Sequence, residues 1–160
     1  MWIALIVGIV IGLAVAMSAR RLLLRALARK LRHGVACLAQ GDIGPLAAGY
    51  HEDAVLYFHE GDHRWRGRYE GRAAIEGFLL DFVDAGLAGD ICSIVVGGAP
   101  WSMTIAIRFD DAAVLDGEQI YTNRSVLWAR ARWGKIVEQR DFYEDSQRLI
   151  ELDRRLPVGG

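Results

Sequence analysis

Arg108 and Asp110 stand two residues apart in a run that alternates between apolar and polar side chains, and Asp141 lies in a second such run 31 residues beyond Asp110. The period of two in a β-strand puts Arg108 and Asp110 on one face, beside the small residues Ser102, Thr104 and Ala106, which leave space. On the later strand Asp141 shares a face with Val137, Gln139 and Tyr143, so a carboxylate enters apolar surroundings there. Two carboxylates around one guanidinium in a low-dielectric pocket split their pKa values: the arginine lowers one, while burial or the like charge raises the other. One then serves as base and the other as acid. A plainer reading stands beside this one. Asp110-Asp111 is also what the polar end of a strand entering a turn looks like, and Asp141 is also an ordinary rim partner for Arg124 or Arg140.

The elements that would hold these residues are legible from periodicity. Helical spacing runs through Val35, Leu38 and Ala39, and Gly41-Asp42 reads as a helix end followed by an N-cap for a short helix reaching Tyr50. Ala54–His59 reads as a strand, and Glu60–Gly67 as a polar loop. Ile75, Phe78, Leu79, Phe82 and Val83 recur at helical spacing between about Arg72 and Ala85, where Gly86 can end the helix. The period then changes to two through Ile91–Val96 and 101–110, Glu118–Trp133 and Lys135–Glu144, with a tight turn at Trp133-Gly134-Lys135. Asp145–Leu156 closes the chain as a helix with Leu149, Leu152 and Leu156 on one side. The order ααβα followed by ββββ and a tail helix predicts an α+β layered domain with an antiparallel sheet.

The whole chain has 160 residues, 52% of them hydrophobic and 24% charged, which bounds it to one compact domain with a short appendage and excludes a disordered chain. Trp2–Ala19 carries no charge, and as a helix its 18 residues cover roughly 27 Å, enough to span a bilayer's hydrocarbon. A basic n-region is missing, so an uncleaved transmembrane anchor over 1–19 is preferred to a signal peptide. Six bases and no acid fall within residues 20–32, a basic juxtamembrane helix. The positive-inside rule then places the domain, 33–156 with a tail at 157–160, on the cytoplasmic side of the inner membrane. The remainder is acidic, which argues against nucleic acid as a partner.

His51, His59 and His63 match no ligand spacing, so no metal is expected, and the separated Cys37 and Cys92 read as free thiols. No phosphate loop, nucleophile elbow or paired-cysteine motif is present, and no cofactor is expected.

Four phrases in order, Leu38-Ala39-Gln40-Gly41-Asp42, Tyr50-His51-Glu52-Asp53-Ala54-Val55, Tyr69-Glu70-Gly71-Arg72-Ala73-Ala74-Ile75 and the stretch from Gly134 to Asp145, resemble the SnoaL-like branch of the nuclear-transport-factor-2-like superfamily over about His33–Leu152. The resemblance implies a cone-shaped, curved antiparallel sheet wrapped around helices, a deep apolar cavity for a small lipophilic molecule, and a homodimer through the outer face of the sheet. The site resembles the limonene-epoxide-hydrolase branch, with Arg108-Phe109-Asp110 and Arg140-Asp141-Phe142-Tyr143 at the matching phrases. Carried over by residue, Asp141 deprotonates a water, Asp110 protonates the epoxide oxygen and Arg108 bridges both. That branch places its water with a Tyr-x-Asn pair; this chain has Tyr57 but His59 in place of the Asn. Tyr57, His59, Phe78, Phe82, Trp101 and Asn123 are the expected ligand contacts. The expected function is a membrane-anchored acid/base enzyme, epoxide hydrolase-like or an isomerase or cyclase. The rival is a non-catalytic ligand-binding or protein-interaction module at the membrane, because this scaffold hosts many functions.

Overall fold

The computed structural model describes residues 2–157, and for residues 2–14, 16 and 20 it describes the backbone alone. The chain divides into two compact units, Met1–Arg32 and His33–Gly160. Helix α1 runs Trp2–Leu38. Among the described residues no helix is long and apolar enough to cross a membrane. The anchor expected over 1–19 falls mainly on residues whose side chains lie outside the description.

The second unit continues with α2 (Gly44–Ala47), β1 (Tyr50–Phe58), β2 (Gly67–Glu70), α3 (Arg72–Asp84), β3 (Leu87–Ala99), β4 (Ser102–Leu115), β5 (Glu118–Arg132), β6 (Lys135–Tyr143) and α4 (Ser146–Arg155). Two features differ from the sequence expectation. The four-residue β2, within and after what reads as a polar loop, pairs antiparallel with β1. The sheet is also mixed rather than antiparallel throughout: its order is β2-β1-β6-β5-β4-β3, and β1 lies parallel to β6. Parallel neighbours need a long crossover, and here the whole span from β2 to β5 supplies it. Bulges interrupt the β3/β4, β4/β5 and β5/β6 registers and add to the sheet's curvature.

Helices α3 and α4 are built by their sequences to cover the inner face of this sheet. Gly71, at φ 82°, makes the turn from β2 into α3 in a conformation that favours glycine. Ile75, Phe78 and Leu79 then face inward at helical spacing. Asp145 caps α4, its carboxylate accepting from Gln147 N at 3.0 Å and Arg148 N at 3.3 Å, and Arg154 and Arg155 sit at the opposite, electronegative end. Leu149 and Leu152 complete a core with Ala54, Leu56, Phe58 and Trp65. Leu56 is fully buried. Leu56→Ala is expected to cost about 2–5 kcal/mol in denaturant unfolding, whereas truncating the exposed Leu80 should change stability by no more than about 0.5 kcal/mol.

Candidate functional site

Alternation along β4 decides which acid faces the core. Met103, Ile105, Ile107 and Ala113 are buried, so odd-numbered positions face the buried side of the sheet and even-numbered ones face outward. Arg108 and Asp110 therefore lie on the exposed outer face, where Arg108 Nη2 donates to Asp110 Oδ1 at 3.3 Å and Arg124 Nε approaches the same oxygen at 3.9 Å. Arg124 continues to Glu144 at 3.3 Å. Asp110 titrates below the ordinary carboxylate range, held there by a hydrogen bond from the Cys92 thiol and by Arg108. The expected constellation thus separates. Arg108 and Asp110 share a face, but not the face that carries Asp141, because the bulky apolar residues of β4 set the opposite phase.

The acid on the inner face of β4 is Asp111. Its cross-strand neighbour on β3 is Gly89, where an added Cβ would come within 2.8 Å of Asp111 Oδ1. A glycine is what leaves this carboxylate room. Burial pushes its pKa up to about 6, against the Ser125 hydroxyl, which favours the ionised form.

Asp141 lies on the inner face of β6, opposite Leu127 of β5. Burial pushes its pKa up to about 7, the charge on Asp111 adds to the rise, and the Gln139 amide opposes it. The residue is half-buried and its carboxyl is strongly desolvated. Gln139 Nε2 donates to both oxygens, at 3.0 and 3.1 Å. The Gln139 amide is itself oriented, since its Oε1 accepts from the buried Tyr50 hydroxyl. Tyr143, two residues along the same face and paired with Ser125, has its phenol pushed well up by burial and then by Asp111 and Asp141, so it stays a neutral donor. Because the Gln139 amide favours the ionised Asp141, Gln139→Leu should raise that carboxyl's pKa by about one unit, which a carboxyl-carbon NMR titration would read.

The remaining expected contacts spread out. Tyr57 faces outward between two guanidiniums, Arg140 at 4.3 Å and Arg68 at 5.6 Å from its ring. Trp101 is 60% exposed. Phe78 is sealed in the core and Phe82 half-buried, their rings 4.7 Å apart. His59 is half-buried with its ring 6.1 Å from that of Tyr143. Asn123 faces inward opposite Asp111, but its amide is engaged with backbone: Nδ2 donates to Asp145 O at 2.7 Å and Oδ1 accepts from Arg124 N at 2.9 Å. His51 is exposed beside Asp53 at 3.8 Å, and His63 is buried with its pKa lowered by that burial and by His59. Among the described residues no cluster of three or more His, Cys, Asp or Glu is placed to hold a metal ion.

What the arrangement offers chemically is a desolvated carboxyl that ionises near neutrality, a second one nearby that ionises about one unit earlier, and a neutral phenol on the same face. Among the described residues, the groups that set the Asp141 pKa are its burial, the Gln139 amide and the Asp111 charge, with no cation among them.

The fold is that of the nuclear-transport-factor-2-like superfamily. A protein of that description from Burkholderia pseudomallei is 15% identical, with a TM-score of 0.66 over 79% of this chain and 96% of its own. TerC, co-crystallised with polyporic acid, is 20% identical with a TM-score of 0.65 over 80% and 98%. A candidate polyketide cyclase of Sinorhizobium meliloti is 16% identical with a TM-score of 0.54 over 73% and 94%. No family model matches the chain, and no curated protein matches it in sequence.

Proposed function

We propose that this domain is an acid/base enzyme of the isomerase or cyclase kind. It takes a small lipophilic carbonyl compound against the inner face of its sheet. The observation that carries the reading is a desolvated carboxyl on the inner face of β6, Asp141, beside the buried Gln139 amide, with its pKa pushed up to about 7 by burial. A general base is most effective when its pKa lies near the working pH. Asp141 removes a proton from carbon next to the carbonyl. The Tyr143 phenol, roughly 7 Å along the strand from residue to residue, donates to the oxyanion that develops. Asp141 then returns the proton to the neighbouring position. Epoxide opening in the limonene-epoxide-hydrolase pattern is less well supported, because its bridging arginine has no counterpart here: Arg108 lies on the outer face, bonded to Asp110. The cyclase neighbour and the ligand in TerC are in keeping with a cavity chemistry of this kind.

The test is hydrogen–deuterium exchange at the α-carbons of a panel of lipophilic ketones and 1,3-dicarbonyl compounds in heavy water. The full chain should catalyse exchange, and Asp141→Asn should not. Incorporation of labelled water into epoxides would instead favour hydrolysis. Saturable ligand binding without either reaction would favour the non-catalytic module.

The apolar run 2–19 tethers this enzyme to the inner membrane with the domain on the cytoplasmic side, a placement supported by the run's length and by the basic residues that follow it. Retention in the membrane fraction after alkaline carbonate extraction tests it. The outer sheet face, with Val126 and Phe142 exposed, serves as a homodimer surface, which light scattering tests.

A further inference from the structure

Two tryptophans stand in solvent at one end of the sheet. Trp101, in the β3–β4 turn, is 60% exposed; Trp133, in the β5–β6 turn, is 73% exposed; their ring centroids are 6.2 Å apart. The two turns are tied together, Trp133 N donating to Pro100 O at 2.7 Å. Trp133 has φ 51° and Gly134 φ 79°. Such a two-residue turn favours Asn-Gly, and a bulky side chain in the left-handed region is uncommon. This turn accepts that conformation and holds an indole outward.

The charge on the two turns themselves is of one sign. Segments 97–104 and 130–137 contain Arg130, Arg132 and Lys135 and no acid. Lys135 Nζ donates to Ala48 O at 2.6 Å and Ile136 N to Gly49 O at 2.9 Å, which brings residues 43–50 to the same end, where the nearest acid, Asp42, accepts from Gly44 N at 2.9 Å. Arg130 is partnered by Glu138 at 3.6 Å, so the cations at the tip itself are Arg132 and Lys135. The first residues of the domain also lie here: a Cβ added at Gly34 would come within 2.8 Å of Leu46 Cδ2.

We propose that this end of the sheet docks on an anionic phospholipid surface, with Trp101 and Trp133 seated at headgroup depth and Arg132 and Lys135 against the phosphates. Indoles favour that depth because one edge is polar and the body apolar, and cations favour the surface of an anionic leaflet. Two indoles on turn tips are far too little area for a stable protein interface, which takes about 800 Å² from each partner.

The test uses the full chain in a Trp2→Phe background with vesicles of phosphatidylcholine, with and without phosphatidylglycerol. The lipid carries bromine in its acyl chains, which quenches tryptophans that touch it. Quenching should require phosphatidylglycerol, weaken with salt, and fall by at least half in Trp101→Ser/Trp133→Ser. Arg132→Gln/Lys135→Gln should remove the lipid-charge dependence. Vesicle-bound chain whose tryptophans are quenched by aqueous iodide but not by bromolipid overturns the docking surface while leaving the tether intact. Absence of any vesicle association overturns both, without bearing on the α-proton exchange. A dimer that disappears in the double tryptophan variant assigns the patch to a second copy and overturns the proposal as well.

Discussion

Asp141→Asn should eliminate turnover and, above pH 7, stabilise the fold. The loss of activity expected on removing a positioned general base is about 10²–10⁴-fold. The gain in stability follows from the same desolvation. The Asp141 carboxyl moves from an ordinary 3.8 up to about 7 on folding, so the folded chain holds that proton where the unfolded chain has released it. The stability this protonated carboxyl contributes is complete below pH 3.8 and is lost as pH rises through 7. At about 1.4 kcal/mol per unit, ionised Asp141 costs the fold roughly 4 kcal/mol at pH 8. Asparagine cannot ionise and still accepts a hydrogen bond from Gln139. Denaturant unfolding across pH 4–8 should therefore show near-equal stability at the acid end and a variant more stable by up to a few kcal/mol at the alkaline end. Such a trade of stability for function is common at active sites.

The second large effect separates two adjacent acids. Asp111→Asn should lower turnover by about tenfold or more and shift the acid limb of the pH–rate profile downward, because removing the neighbouring negative charge makes Asp141 easier to ionise. Asp110→Asn should leave both within about twofold, since its carboxylate is exposed and pairs with Arg108 and Arg124 on the other side of the sheet. An enzyme working through Arg108 and Asp110 would give the reverse order. Gly89→Ala offers an independent check: the added methyl crowds Asp111 Oδ1 and should reproduce part of the Asp111→Asn profile without altering any ionisable group.

Much of the fold was legible because its signals are local. The spacing of Ile75, Phe78 and Leu79 marks α3, and the alternation around Met103, Ile105 and Ile107 marks β4. The short β2 was not legible, because four residues, half of them charged, form a strand only when β1 lies alongside. Nor was the parallel β1/β6 pair, a matter of which strands meet rather than of what each strand is. At the site, Asp141 stood out as an acid on a face otherwise apolar or uncharged. Its expected companion, Asp110, lies on the opposite face of the sheet, and the acid that shares the inner face is Asp111, one position on. The signal for Asp111 was present in the sequence: Met103, Ile105 and Ile107 are large and apolar, so their phase, carried forward, points Asp111 inward and Asp110 outward. The small residues on the opposite phase suggested a cavity but face outward. Tyr50 and Gln139 gave no local signal, being 89 residues apart and meeting only through the parallel pairing.

The most direct test of the account is a carboxyl-carbon NMR titration of the full chain with labelled aspartate, assigned by Asp141→Asn, Asp111→Asn and Asp110→Asn. The account predicts one carboxyl titrating near pH 7 that disappears in Asp141→Asn, one near pH 6 that disappears in Asp111→Asn, and Asp110 below the ordinary range. Asp141 titrating at or below pH 5 would show a solvated or ion-paired carboxylate, and would contradict a desolvated general base on the inner face of the sheet.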